Sequence, residues 1–266
     1  MSGALRPLAD LSRCRILISN DDGIAAEGLK VLERIARKLS DDVWIVAPIT
    51  EQSGAGHSLT LHMPLRPTQV GERRFTVSGT PTDCVMVAIN HLMKDHRPDL
   101  VLSGINMGAN LGEDVHYSGT VAAALEGTLL GVPAMALSQS FSDIEKIPWA
   151  TAETFAPDLI RRICDAGWPM NVLININFPD RPPQQVGGVV PALQGKHKIG
   201  DDLVLRKDPR GRPYLWIGTR RTADASARGT DLNAVDEGSI AVTPLNVDLT
   251  HMPTMAALRE VLGKER

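Results

Sequence analysis

No apolar stretch in this 266-residue chain approaches the ~20 residues that a membrane span requires. Residues 1–13 also lack the apolar stretch of a secretory signal, so the chain reads as cytoplasmic, with no membrane partner. Cysteine is scarce. Cys14, Cys84 and Cys164 show no C-x-x-C or pairing pattern, which excludes a disulfide framework and fits reduced thiols beside apolar segments. Neither sign of charge is in large excess: 28 Lys and Arg face 31 Asp and Glu, for a net charge of −3. That balance argues against a nucleic acid polymer as partner and leaves room for a small anion held locally.

Several motifs are absent too. The seven histidines form no H-E-x-x-H, so metalloprotease chemistry lacks its ligands. No G-x-S-x-G elbow occurs, and Ser53 and His57, four positions apart in one loop, do not make a hydrolase triad. His57 reads as a hydrogen-bonding loop residue. Gly104, Gly108 and Gly112 are spaced by four rather than as G-x-G-x-x-G, which disfavours a dinucleotide dehydrogenase. There is no internal repeat and no low-complexity tract.

What is present is an alternation of strands and helices. Apolar runs at 15–19, 43–47, 75–78, 100–103, 134–137 and 172–177 read as strands, and helical spacing is clear at 29–39, 82–93, 119–130 and 151–166. This order predicts an α/β, Rossmann-like doubly wound and mostly parallel sheet with helices on both faces. Past Pro179 the pattern changes. Pro182-Pro183, Gly187-Gly188, Gly195, Gly200, Gly211 and Gly218 punctuate short β-like pieces at 203–205 and 214–217. A strand near 239–243 and a short terminal helix at about 254–262 follow. The expected organisation is a Rossmann-like catalytic core at 14–184, a hairpin-rich oligomerisation arm with a returning strand at 185–249, and a helical tail at 250–266. Isolated hairpins are marginal, so the arm should pack on the core or on another subunit.

The first strand ends at Asn20-Asp21-Asp22-Gly23. Asp-Gly alone is a turn signal, but two adjacent carboxylates in a cleft need a positive partner. Three further polar clusters fall at the carboxyl ends of predicted strands or at the following helix start, where open parallel sheets bind ligands. They are Ser53 through Ser58, with Gly54; Ser103-Gly104-Ile105-Asn106; and Tyr117-Ser118-Gly119-Thr120. Asp21, Asp22, Asn106 and Ser53 offer hard oxygen donors suited to one divalent cation, Mg²⁺ or Mn²⁺. Ser118, Gly119 and Thr120 open a helix, a site for phosphate or, more simply, an N-cap. Gly79-Thr80-Pro81-Thr82-Asp83 makes a similar helix start, read as structural with Thr80 near the cleft. A cation beside an anion-binding helix start points to hydrolysis of phosphate esters.

Ile16 through Gly23, Val46-Ala47-Pro48 leading to Gln52-Ser53-Gly54, Gly79 through Cys84, Ser103 through Asn106 and Tyr117 through Val121 together resemble the SurE family, survival protein E. The likeness runs from Arg15 into Gly229-Thr230-Asp231 and 239–245. It implies a metal-dependent phosphatase acting on nucleoside 5′- and 3′-monophosphates, with short polyphosphate as a further substrate. It also implies an arm exchanged between subunits of a dimer or tetramer. Carried over by position, the metal ligands fall on Asp21, Asp22, Ser53 and Asn106, with Asp21 and Asp22 catalytic, and the phosphate contacts on Asn110, Ser118, Gly119 and Thr120. Asn20, Gly54 and Thr80 line the cleft. Residues 1–13 depart from the family pattern, in which the first strand starts almost at the initiator Met. The competing reading is a nucleotide-binding sensor that holds phosphate without turnover, since fold alone does not imply catalysis.

Overall fold

Ile16 and Ile18 join one apolar cluster and Leu17 another, and all three are fully buried. A strand that is apolar on both faces belongs inside a sheet covered on both sides. The computed structural model, which describes residues 7, 8, 10–199, 203–217, 221–223 and 227–263, contains such a sheet. Gly200, Gly218 and most of the first thirteen residues' leader, positions 1–6 and 9, lie outside the described residues.

In chain order the first half comprises β1 (Arg15–Ser19), α1 (Glu27–Arg37), β2 (Asp42–Pro48), β3 (Pro67–Gly71), β4 (Arg74–Val77), α2 (Pro81–Val87), β5 (Leu100–Met107) and α3 (Gly119–Leu129). Next come β6 (Ala134–Gln139), α4 (Trp149–Ala166), β7 (Val172–Phe178), β8 (Val189–Pro191), β9 (His197–Ile199) and β10 (Leu203–Lys207). The chain ends with β11 (Pro213–Ile217), β12 (Arg221–Ala223), α5 (Asp231–Asp236), β13 (Ile240–Asn246) and α6 (Met252–Leu262).

Nine strands form one sheet in the order β3-β4-β2-β1-β5-β6-β7-β13-β8. From β4 to β7 all neighbours are parallel, while β3 and β13 pair antiparallel with β4 and β7. The cluster containing Ile16 and Ile18 is closed by Leu29, Leu32 and Ile35 of α1 and Leu159 and Ile160 of α4. On the opposite face, Cys84 and Val85 of α2 and Val121 and Ala124 of α3 pack against Leu17. The predicted α/β class and doubly wound sheet are thus observed. Cysteines 14, 84 and 164 are free. Burial, then Cys14 and Asp165, push the Cys164 thiol up to about 12, which keeps it protonated and inert.

Two of the expected elements take a different form. The fifth strand runs on to Met107 through a register shift between Ser103 and Asn106, so Asn106 lies in the strand rather than in the loop after it. Gly104 makes this possible: its φ is +127, and a Cβ there would stand 2.2 Å from the Leu137 carbonyl oxygen. The helix expected over 82–93 is α2 followed by a π-helical turn at Ala88–Leu92.

The path of the chain places the site. It steps outward from β1 to β2 and β4, then returns to the other side of β1 with β5 before moving on to β6 and β7. The carboxyl ends of β1 and β5 therefore flank the switch point, where a crevice opens in sheets of this kind.

The hairpin-rich segment is also present. Leucines 203, 205 and 215, Trp216 and Ile217 are exposed on the β10–β11 hairpin. A second antiparallel pair, β9 with β12, lies nearer the base, where Leu193 bridges Thr230. Helix α6 buries none of its residues. No helix among the described residues is long and apolar enough to cross a membrane.

Candidate active site

Asn20, Asp21 and Asp22 leave β1 at the crevice. Asn20 is fully buried; its amide donates to the Gly23 carbonyl at 3.0 Å. Its Oδ1 has no partner among the described residues, nor do the buried hydroxyls of Ser19 and Ser103, which face each other in the β1–β5 register. Asp21 is 4% exposed. Its Oδ1 accepts a short hydrogen bond from the Thr120 hydroxyl, 99 positions away. The start of α3 presses on the same carboxylate: a Cβ added to Gly119 would stand 2.6 Å from Asp21 Cβ and 2.9 Å from its Oδ2. Ser118 caps α3, its Oγ accepting the Val121 N–H at 3.0 Å. The Asp21 carbonyl accepts the Gln52 N–H at 2.8 Å, and Gly56 N–H reaches the Tyr117 carbonyl at 3.2 Å, so the loop after β2 is fastened to both.

Asp22 touches β5, its Oδ2 accepting the Met107 N–H at 3.3 Å. Asn106 lies one residue before that contact and donates its amide to the Gly108 carbonyl at 2.8 Å. Ser53 is on the loop after β2, with its exposed hydroxyl donating to Glu51 at 2.8 Å. Gly54 is exposed in the same turn. Thr80 caps α2 in a reciprocal capping box with Asp83, so its structural role is explicit. His57 is hydrogen-bonded as expected, to Glu126 of α3 at 2.9 Å.

Asn110 occupies a different part of the crevice. Its side-chain amide donates to Ser138 at 2.8 Å, and its backbone N–H and carbonyl both pair with the Asn177 side chain, at 2.8 and 3.1 Å. The Asn175 amide reaches the same carbonyl at 2.9 Å. Asp21 with Ser118–Thr120, and Asp22 with the end of β5, are therefore brought together directly. Asn110 is carried on the segment that joins β5 to α3 without a direct bond to either group.

Sequence reasoning passed over Glu51, Asn175, Asn177 and Asp231. The asparagines had a signal, two polar residues at alternate positions of an otherwise apolar strand. Glu51 had none beyond its charge. Asp231 stood in the resemblance without a role.

The two carboxylates stand without a compensating charge: among the described residues neither Asp21 nor Asp22 has an ion-pair partner. Burial, opposed mainly by the Thr120 hydroxyl, raises the Asp21 carboxyl above the usual carboxylate range. Asp22 is pushed up to about 6 by burial, then by Asp21 and opposed by the Met107 N–H. No trio of His, Cys, Asp or Glu among the described residues is placed to hold a metal. A cation would thus rely on the two carboxylates plus amide and hydroxyl oxygens, and the orphaned Asn20 Oδ1 at the end of β1 is an oxygen of that kind. The donor chemistry fits a hard divalent ion.

A raised carboxyl pKa has a definite sign in stability. The folded protein retains a proton on Asp22 that the unfolded chain releases near pH 4, so stability falls as pH rises from about 4 through about 6. The full difference is about 3 kcal/mol. Melting curves of metal-free wild type and Asp22→Asn should therefore diverge over that range, with wild type losing ground. A constant difference between the two from pH 4 to about 7 would contradict the assignment.

Comparison with known proteins identifies the family. Residues 16–201 match the family model described as Survival protein SurE. The chain belongs to the SurE family. A SurE relative from Rhodospirillum rubrum, named 5′-nucleotidase SurE, is 63% identical over 255 residues, covering 95% of this chain and 97% of its own. The protein of the same name from Brucella canis is 54% identical over 254 residues, covering 94% and 99%. The crystal structure of the SurE protein from Aquifex aeolicus superposes with a TM-score of 0.82 at 36% identity, covering 94% of this chain and 100% of that one.

Proposed function

We propose that this SurE protein is a divalent-cation-dependent 5′-nucleotidase, a phosphoric monoester hydrolase that converts nucleoside monophosphates to nucleoside and phosphate. Nucleoside 3′-monophosphates and short polyphosphate are further substrates in this reading. The observation that supports it is the clamp of Asp21 against the start of α3 by Thr120 and Gly119, because a cation at Asp21 and an anion at the helix start would share one wall. The names of the relatives from Rhodospirillum rubrum and Brucella canis support the same activity.

Asp21, Asp22, Ser53 and Asn106 would hold Mg²⁺ or Mn²⁺. When bound, the cation supplies charge neutralisation at the phosphate and activation of water. The phosphate rests at the positive end of α3, with the Ser118 hydroxyl and the close backbone of Gly119, beside Thr120 whose hydroxyl is turned to Asp21, while Asn110 bounds it from the adjoining segment. Asn20, Gly54 and Thr80 line the approach. One of the two carboxylates, Asp21 or Asp22, takes the proton from the attacking water. The core is assigned to 14–184, the arm to 185–249 and the tail to 250–266. The arm's exposed Leu203, Leu205, Leu215, Trp216 and Ile217 support exchange with a second copy, in a dimer or tetramer. The proposed setting is the cytoplasm.

The test is a phosphate-release panel of 5′- and 3′-monophosphates and short polyphosphate, run with Mg²⁺, Mn²⁺, Zn²⁺ and chelator. Turnover of 5′-monophosphates with Mg²⁺ or Mn²⁺, abolished by chelator and restored by the ion, is the expected result. Nucleotide binding without phosphate release under every condition would replace the enzyme with a sensor.

A further inference from the structure

Asp231 is completely buried at the first position of α5, behind the cap residue Thr230. Its position at a helix start accounts for one of its bonds, from the Leu232 N–H to Oδ1 at 2.9 Å. The other two are long-range. Oδ1 also accepts the Gly195 N–H at 2.8 Å, and Oδ2 accepts the Gly112 N–H at 2.8 Å, 119 positions away.

These contacts join two parts of the molecule. Within the arm, Gly195 lies where the chain departs towards β9–β12, and Asp231 where it comes back. That neck is drawn closed by Leu193 N–H to the Gly229 carbonyl at 2.9 Å and by Asp231 N–H to the Leu193 carbonyl at 2.8 Å. Gly112 lies between Asn110 and Ser118, on the segment from β5 to α3. Gln194 of the neck donates its side-chain amide to the Gly112 carbonyl at 2.9 Å, so both backbone groups of Gly112 are held from the neck. A buried carboxylate is unfavourable unless its oxygens are satisfied, and hydrogen bonds to it are roughly twice as strong as neutral ones. Closing the neck needs only one oxygen. The other is committed to the site segment.

We propose that Asp231 is a positioning residue that ties the neck of the arm to the 110–118 segment and so sets the anion-binding edge of the active site. The inference rests on the nucleotidase reading for its kinetic consequence and on geometry alone for the linkage. A rigid planar group spanning both attachments means that a displacement of the neck is passed to Gly112, and through it towards Asn110 and Ser118.

Asp231→Asn keeps the shape, and because two N–H groups meet Oδ1 and one meets Oδ2, the amide oxygen stays with the pair and the NH₂ is set against the Gly112 N–H. In this variant KM for AMP is expected to rise about tenfold, as for loss of a charge-assisted bond, with Mn²⁺ affinity by calorimetry unchanged. Amide hydrogen exchange should quicken in 108–118 as well as in the neck. Gln194→Ala, at an exposed position, serves if the first variant does not fold; it should raise KM about threefold and quicken exchange in 108–118. Exchange that quickens only in the neck and α5, or an unchanged KM, overturns the proposal. If wild type releases no phosphate, the nucleotidase reading fails, and the exchange pattern still decides the linkage.

Discussion

Asp21→Asn is expected to lower phosphate release by about 10³-fold while leaving the protein folded and at least as heat-stable as wild type without metal. The substitution keeps an amide oxygen able to accept the Thr120 hydroxyl, so the contact between β1 and α3 survives. What disappears is the negative charge. Burial already raises the Asp21 carboxyl pKa, and among the described residues no ion-pair partner offsets the ionised form, so a neutral amide relieves rather than strains the metal-free fold. The same change removes one of the two charged ligands of the proposed cation site. Turnover at saturating Mn²⁺ and a melting curve, measured on one preparation, separate the possibilities. Activity within tenfold of wild type would falsify Asp21 as a site residue, and a collapsed melting transition would assign it to structure instead.

Gly119→Ala is the second large effect, and helix propensity points the wrong way for it. Alanine is favoured over glycine in a helix interior by about 1 kcal/mol, and Gly119 has no positive φ to defend. The new methyl, however, would stand 2.6 Å from Asp21 Cβ, a distance that forces the carboxylate or the helix start to move. Either displacement opens the wall that the proposed cation and phosphate sites share. A shift of about 1 Å at a reacting centre lowers rate about 100-fold, so a loss of that order in kcat/KM is expected. Stability should fall by about 1–3 kcal/mol, the usual range for overpacking. Wild-type kinetics in Gly119→Ala would show that the contact between α3 and Asp21 is dispensable.

Much of this arrangement is visible in the chain itself. Strands such as β1 and β6 are apolar on both faces, and their runs admit few alternatives. By contrast, β3 (Pro-Thr-Gln-Val-Gly) is exposed throughout and owes its existence to pairing with β4, a tertiary fact with no local pattern. Strand β8 is three residues long and is likewise defined by its partner, β13. In the site, Asp21, Asp22 and Ser118–Thr120 stand out because polar residues break off apolar runs or open a helix. Their mutual contact is not legible, since the Thr120 hydroxyl and Asp21 meet only after the chain has crossed back over the sheet. Asn110 came from the resemblance alone, and its partner Asn177 lies 67 positions on. Asp231 is hidden for another reason. Thr-Asp at a helix start reads as an ordinary cap, and nothing local shows that its second oxygen is directed at Gly112.

The reversal of strand order at β1 also bears on when the site comes into being. As the chain emerges, β1, β2 and β4 are made first, and β5 docks against β1 only after a separation of some 84 residues, the distance spanned by the bond from Arg15 N–H to Asp99. Until that docking, β1 is paired on its β2 side alone, and Asp21 and Asp22 lack Met107 and Thr120 to fix them. Loops of this length close slowly. At the proposed site, cation capture is therefore expected only after β5 has docked, and a chain that stops short of β5 would carry the aspartates without the contacts that fix them.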